Sequence, residues 1–363
     1  LGDTGKVCRG GICVDYTCLL IAAYKPEDTC LQTIKQLIKT GFLHIIVVND
    51  GSGQKFTPFF EAIDKFPEVK VLHHATNQGK GRALKTAFHY ILNERPDINK
   101  IITVDADGQH RTKDVCKLYR ASFEQEGILL GVRNFDQDDI PFRSRFGNKL
   151  TRNLFRYTTG IGITDTQTGL RLFSRKHLPW LLSIKGEAFD YELNMLAESK
   201  DAGVLIHEFE IDTVYENDNK SSHFQPIKSS LQIYKIFIKF AVSGLASFGL
   251  DMALFGLFIW LWKDDAPEMY IVFATILARV ISATFNYSIN RKKVFEKGDE
   301  RSFIKYMILA AAIMTLSAGL VHGLFLFTGR GEMLIKGVVD SILFLLGFII
   351  QRDWVFKKKK PKH

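Results

Sequence analysis

Cysteine is scarce and unevenly placed. The chain has five in 363 residues, Cys8, Cys13, Cys18, Cys30 and Cys116, and none in its second half. An odd count cannot close into a complete disulfide framework and fits a reducing compartment. Cys8 and Cys13 have no second metal-type pair after them, which argues against a structural zinc site. Residues 1–16 lack the apolar core of a signal peptide and read as a leader without fixed structure. Before about residue 230 no apolar run is long enough to cross a bilayer, so this part reads as soluble α/β. The formal net charge is +9. Cations flank the later apolar runs, which points to an anionic membrane surface and not to nucleic acid.

What is present centres on Ile101-Ile102-Thr103-Val104-Asp105-Ala106-Asp107-Gly108-Gln109-His110. An apolar, β-branched run ends in two carboxylates and a glycine. The run has the character of a buried strand in a parallel sheet, and ligands of open α/β sheets bind beyond the carboxyl ends of such strands. Strand alternation would turn Asp105 and Asp107 to the same side. Two hard oxygen donors, with Gln109 as a third, suit Mg²⁺ or Mn²⁺ shared with a phosphate. A polar strand-end turn would give the same string, so the motif needs support from the rest of the chain.

That support lies at successive strand ends. Residues 17–24 read as a first strand and 28–40 as a helix opened by Pro26. Residues 45–48 form a second strand ending at Asp50, and 69–73 a third. Asn77-Gln78-Gly79-Lys80-Gly81 then leads into a helix over 82–93. Strands alternating with helices predict a doubly wound parallel sheet, with Tyr24, Asp50, Lys80, Asp105 and Asp107 on one rim.

Ile21-Ala22-Ala23-Tyr24, Val48-Asn49-Asp50-Gly51-Ser52, the 77–81 string and the 104–110 string together resemble family 2 glycosyltransferases of the GT-A fold. Within that family they are similar to polyprenyl-phosphate hexose synthases, the group of dolichyl-phosphate mannose and glucose synthases. The resemblance implies an α/β GT-A nucleotide-sugar-binding domain over residues 17–228. It places Ala22, Tyr24, Asp50, Lys80 and Asp105 on the nucleotide, and Asp105, Asp107 and Gln109 on a metal at the diphosphate. The family string after the first strand is Pro-Ala-Tyr-Asn-Glu, whereas this chain has Ala22, Lys25 and Pro26 at three of those positions. Glu27, one step late, is the candidate for the missing acid.

Farther along, residues 142–157 read as a helix with Phe142, Phe146, Leu150 and Leu154 in one stripe among basic residues. Such a helix suits a membrane interface, or an ordinary face packed on the domain. The resemblance assigns Arg133 and Arg143 to the acceptor lipid phosphate. It assigns Asp165 and Gln167, from Asp165-Thr166-Gln167-Thr168-Gly169-Leu170-Arg171, to the sugar side, with Asp165 among the catalytic residues. Glu192 is either a sugar-side residue or an acid favoured at a helix start. Ser222 and His223 belong to a loop that closes over the diphosphate in relatives.

Four apolar runs follow, over 236–262, 270–289, 303–327 and 333–350, each long enough to span a bilayer as a helix. Residues 229–235 form the linker and 357–363 a basic tail. Lysine and arginine crowd the link between the second and third runs and the tail, so the catalytic domain and both ends are expected in the cytosol. Phe237-Ile238-Lys239-Phe240 and Phe303-Ile304-Lys305-Tyr306 open two hairpins. Asn290 to Phe295 and Gln351 to Phe356 close them, which marks a parallel duplication. The pattern resembles the GtrA-like four-helix transmembrane module, over 236–356. Asp251, Arg279 and Asp340 lie inside these runs, and Asp251 with Arg279 is the expected ion pair.

The expectation is a membrane-bound inverting glycosyltransferase. It would move one hexose from a nucleotide-sugar, a UDP-sugar ahead of GDP-mannose, to polyprenyl phosphate on the cytosolic face. Membrane lipids are expected partners, and the reading leaves room for a homo-oligomer. Two rivals stand beside it: a lipid-sugar translocase whose soluble domain only binds, and a processive polysaccharide synthase. The latter carry Q-x-x-R-W, whereas Gln351-Arg352-Asp353-Trp354 has another spacing and position.

Overall fold

Short apolar runs separated by amphipathic segments build the first half. In order they are β1 Thr17–Ala23, α1 Asp28–Lys39, β2 His44–Asp50, α2 Thr57–Ile63, β3 Val69–His74, α3 Lys80–Glu94, β4 Lys100–Asp105, α4 Thr112–Ala121 and β5 Ile128–Arg133. Then come α5 Phe142–Thr159, β6 Arg171–Ser174, α6 Leu178–Ser183, α7 Asp190–Ser199 and β7 Ile206–Ile211. This computed structural model describes residues 16–135, 142–212, 226–262, 270–296, 298–328 and 332–357. Its contacts form two compact units, Leu1–Arg156 with Ile161–Ser230, and Tyr157–Gly160 with Leu231–His363.

In the first unit the seven strands lie in the order β3-β2-β1-β4-β6-β5-β7. The sheet is mixed, not wholly parallel as the alternation of strands and helices suggests. β6 runs antiparallel to both β4 and β5. From β5 the chain passes through α5 and then enters the gap between β4 and β5 as the short β6, in the opposite direction. The first four strands are parallel. β1, β2 and β4 are nearly all buried because helices cover both faces, which explains their apolar runs, whereas β3, at the sheet edge, is only partly buried. On one face Leu19, Ile21, Val47, Ile102 and Val104 pack with Ile34, Leu37, Val115 and Leu118 from α1 and α4. On the other, Phe88 of α3 meets Phe173 of β6 edge to face at 5.8 Å.

The second unit holds α8 Pro226–Trp262 from Leu231 on, α9 Tyr270–Ile289, α10 Ser302–Thr328 and α11 Glu332–Ile350. α9 and α11 each run on into a π-helical turn, Asn290–Val294 and Gln351–Val355. Among the described residues three helices are long and apolar enough to cross a membrane, Lys235–Trp262, Ser302–Thr328 and Leu334–Val355. α9 has 20 residues but is diluted by Arg279, Ser282, Asn286 and Ser288.

The duplication is visible in packing. Tyr287 stacks on Phe356 at 5.8 Å, and Phe348 meets Phe295 at 5.6 Å, the equivalent pair with the halves exchanged. Tyr287 with Tyr306 and Phe348 with Phe240 form a second equivalent pair, at 5.5 and 5.1 Å. Asn290 and Gln351, equivalent in sequence, hydrogen-bond each other at 3.0 Å. The same registration carries Asp251 onto Ser317 and Arg279 onto Asp340. Each hairpin has a tether there: Arg279 to Asp251 at 3.3 Å, and Ser317 to Asp340 at 2.5 Å. The expected Asp251–Arg279 pair is thus formed, reinforced by Ser282 donating to Asp251 at 2.9 Å.

Candidate functional site

The chain runs outward from β1 through β2 to β3, then returns to place β4 on the other side of β1. This reversal of strand order opens a crevice at the carboxyl ends of β1 and β4. Asp105, the last residue of β4, pairs in register with Ala22 near the end of β1. The segment before β6 crosses beside it. A Cβ on Gly169 would stand 2.2 Å from the Asp105 carboxylate, so only glycine leaves room for that side chain. Thr103 Oγ1 donates to the Gly169 carbonyl at 2.7 Å, and Thr168 Oγ1 to that of Gly131.

Asp105 sits between Lys80 and His110. Lys80 Nζ lies 2.7 Å from Asp105 Oδ1 and 2.8 Å from Glu192 Oε2. His110 Nε2 lies 3.1 Å from the other Asp105 oxygen. Behind Glu192, the fully buried Arg171 donates to the carbonyls of Thr168 at 2.9 Å and Glu192 at 2.8 Å. Burial would raise the Asp105 carboxyl and lower the Lys80 ammonium. Each holds the other charged instead: Asp105 sits well below the carboxylate range, with Lys80 and His110 as the cause, and Lys80 well above its usual value. Arg171 Nη2 and Glu192 Oε1 find no hydrogen-bond partner among the described atoms.

Lys80 is aimed by its loop. Asp50 is buried, and its carboxylate accepts from the backbone N–H of Gln78 at 2.9 Å, that of Gly79 at 2.8 Å and His74 Nδ1 at 2.7 Å. The His74 contact follows from the register, which sets Asp50 opposite His74 on β3. On the loop's far side a Cβ at Gly79 would meet the Glu187 carbonyl at 2.4 Å, and one at Gly81 would meet Tyr191 at 2.5 Å. Asp50 therefore fixes the 77–81 loop in this structure, through hydrogen bonds that it accepts from two backbone donors of the loop.

Asp107 does not continue the strand. β4 ends at Asp105 and a turn begins, with Gln109 N–H donating to Asp107 Oδ1 at 3.0 Å. The two carboxylates come near one another through this turn and not through strand alternation. Burial, then the charge of Asp105, pushes the Asp107 carboxyl up, and burial, then the charge of Asp107, pushes the Cys30 thiol up to about 12. Among the described residues no group of three or more His, Cys, Asp or Glu could hold a metal. Asp105, Asp107 and the amide oxygen of Gln109 are a hard-oxygen donor set. They fit Mg²⁺ or Mn²⁺, which bind through one or two carboxylates and fill their shell from phosphate and water.

At the end of β1, Tyr24 is 38% exposed and Lys25 Nζ lies 5.0 Å from its ring centroid. Lys25 has φ 51°, and its N–H donates to Ser52 Oγ at 2.9 Å. It occupies the place where the family string has asparagine, the non-glycine residue that best tolerates the left-handed region. Glu27 is the exposed N-cap residue of α1 and makes no side-chain capping bond.

Arg133 and Asp165, assigned by the resemblance to phosphate and sugar, meet each other. Asp165 is fully buried and accepts from Arg133 Nε at 2.8 Å, Arg133 Nη2 at 3.2 Å and the backbone N–H of Gln167 at 3.0 Å. In α5 the buried residues include Asn148, Thr151 and Phe155, whereas Leu150 of the apolar stripe is 46% exposed. The side chains of Phe142, Arg143 and Phe146 lie outside the described set, as do Ser222 and His223 altogether. Sequence reasoning missed His74, His110, Gly169 and Arg171. The last three sit inside the quoted strings but carried no role there, and His74 had no signal beyond its place at a strand end.

A profile of glycosyl transferase family 2 matches residues 18–179, and one of the GtrA/DPMS transmembrane domain matches residues 239–356. An uncharacterized protein of Methanocaldococcus jannaschii is 30% identical over 226 residues, 61% of this chain and 90% of its own. A dolichyl-phosphate beta-glucosyltransferase of Dictyostelium discoideum is 30% identical over 213 residues, 54% of this chain and 61% of its own. A UDP-N-acetylglucosamine–dolichyl-phosphate N-acetylglucosaminyltransferase of Methanococcus voltae is 26% identical over 216 residues, 54% of this chain and 85% of its own. The chain thus spans about six tenths of the Dictyostelium relative's length.

Proposed function

The chain belongs to the family 2 glycosyltransferases, its GT-A-like domain followed by a GtrA/DPMS transmembrane domain, and from that we propose that it transfers one hexose from a nucleotide-sugar to polyprenyl phosphate with inversion. The observation that carries the reading is the placement of Asp105 and Asp107 at the switch point, beside a lysine already held in the crevice. The names of the Dictyostelium and Methanococcus relatives support a dolichyl-type phosphate acceptor, and the latter a UDP-sugar.

Asp105, Asp107 and Gln109 would hold Mg²⁺ or Mn²⁺, which when bound supplies positive charge to the leaving diphosphate. Asp50 keeps the 77–81 loop shaped for the nucleotide, with Ala22, Tyr24 and Glu27 along the same rim. Lys80, held between Asp105 and Glu192, is placed to turn toward the diphosphate as negative charge develops there. The acceptor phosphate, with a second pKa of about 6 by analogy with phosphoesters, is a nucleophile at neutral pH without a base. Asp165 fits that chemistry: its carboxylate is spent on Arg133 and on backbone donors, so it positions groups and takes no proton. Arg133, so oriented, and Arg143 would set the acceptor phosphate in line with the anomeric carbon.

All four long helices span the membrane in this reading, α9 included, with the catalytic domain and tail in the cytosol. The exposed Leu150 supports an α5 that lies in the headgroup layer. The test is incubation of the purified chain with undecaprenyl phosphate, Mn²⁺ and a panel of nucleotide-sugars, reading lipid products by mass. A single hexose added from a UDP-sugar is expected. A polymer, or no lipid product from any donor, would refute the proposal.

A further inference from the structure

Both oxygens of the Asp105 carboxylate are engaged, and by side chains of unlike build. Lys80 Nζ holds Oδ1 at 2.7 Å, on a flexible four-carbon stem. It has a second partner, Glu192 Oε2 at 2.8 Å. His110 Nε2 holds Oδ2 at 3.1 Å. Its ring is short-stemmed and buried, and Asp105 is its one hydrogen-bond partner among the described residues, since Nδ1 finds none. An ionised carboxylate only accepts, so Nε2 carries the hydrogen.

The two contacts respond differently to a dication on Asp105. The histidine can stay. A carboxylate that accepts one hydrogen bond is aimed by it and keeps lone pairs for a metal. The ammonium cannot stay at Oδ1 without cost. It would share one oxygen with a like charge in a partly buried crevice, where screening by water is weak.

Glu192 gives the ammonium somewhere to go. Its Oε2 already bonds Lys80, and its Oε1 is buried without a hydrogen-bond partner among the described residues. Arg171 fixes the backbone there by donating to the Glu192 carbonyl at 2.8 Å. The Phe189 ring adds a cation–π attraction, its centroid 5.8 Å from Nζ. Lys80 can therefore leave Asp105 and remain paired.

We propose that Lys80 is a resident counter-ion that keeps the metal's place on Asp105 and yields it to Glu192 and the diphosphate, whereas His110 is a positioning residue that keeps the Asp105 carboxylate aimed at the metal. The inference rests on the metal and nucleotide reading above. One consequence is coupling: the diphosphate draws off the lysine that competes with the metal, so each ligand raises the affinity for the other.

The experiment titrates the full chain in detergent with Mn²⁺, reading the unbound ion by electron paramagnetic resonance, with and without UDP. No sugar transfer is needed. Lys80→Gln should bind Mn²⁺ alone about tenfold more tightly, because a charge beside a carboxylate changes its affinity for a competing cation by at least that much. The gain in Mn²⁺ affinity that UDP brings should shrink by a similar factor. The double variant K80Q with E192Q removes one charge of each sign and strands no carboxylate at 192, which guards against a folding defect. It too should bind Mn²⁺ more tightly than the parent. His110→Leu should weaken Mn²⁺ binding about 10–100-fold, and His110→Gln, which keeps an N–H near Asp105, should restore most of it.

Mn²⁺ affinity unchanged or lowered in K80Q, or unchanged in the double variant, would overturn the counter-ion. Affinity unchanged in His110→Leu, or no better in His110→Gln, would overturn the positioning role. Binding that behaves as expected in a chain that makes no lipid product would uphold the exchange and remove the proposed function. A chain that transfers sugar while K80Q binds Mn²⁺ no better would do the reverse.

Discussion

Lys80 Nζ sits 2.7 Å from Asp105 Oδ1 and bridges it to Glu192, so the crevice at the end of β4 carries its own cation. Two largely buried carboxylates share that one ammonium. Replacing it with Lys80→Met takes the ammonium from both and leaves Asp105 with His110 alone, and breaking a buried pair costs about 3–5 kcal/mol. The lower end applies, since Asp105 keeps some contact with solvent. The sign follows from linkage. The Asp105 pKa is depressed in the fold, so its contribution is whole above the unfolded value of about 3.9 and fades as pH falls below it. The Lys80 value is raised, so its contribution is whole below about 10.4. Thermal unfolding should show K80M far less stable than the parent from pH 5 to 9, with the gap closing below pH 4. A gap independent of pH would mean that packing, not charge, holds Lys80.

Arg133 and Asp165 form a fork-to-carboxylate contact with Asp165 wholly buried. Arg133→Ala and Asp165→Ala should each destabilise the protein by about 3 kcal/mol or more, and the double variant by clearly less than the sum. A double-mutant cycle on thermal stability measures this. If Arg133→Ala raises the KM for polyprenyl phosphate and leaves stability unchanged, the pair is incidental and Arg133 serves the acceptor alone.

Lys25 holds φ 51° at the end of β1, a region that costs a side-chain-bearing residue about 1–2 kcal/mol. Lys25→Asn should raise stability by about 1 kcal/mol, because asparagine tolerates this backbone best. An unchanged unfolding midpoint would show that Lys25 contacts repay the strain.

Much of this arrangement was legible in the residues. The apolar run of β4 stops at Asp105 because buried backbone ends where the crevice begins. The bounds of α9, α10 and α11 follow the apolar runs to within a residue or two. β6 was not legible. It is four residues long, and its first, Arg171, is a buried charge that breaks any apolar signal. Nor could sequence spacing reveal that Arg133 turns to Asp165, or that Asp50 is engaged by the 77–81 loop. Those choices are made by long-range packing that brings distant segments to one rim. The closeness of Asp105 and Asp107 was anticipated for the wrong geometric reason, a continued strand in place of a turn.

The central claim is that Asp105 and Asp107 organise a metal-dependent transfer of one sugar to a lipid phosphate. The direct measurement is the mass of the lipid product made by the full chain from undecaprenyl phosphate and the preferred UDP-sugar, with Mn²⁺ and then with excess chelator. The expected result is undecaprenyl phosphate plus one hexose with the ion, nothing with the chelator, and nothing from D107N under either condition. Undiminished product in chelator, or from D107N, would contradict it.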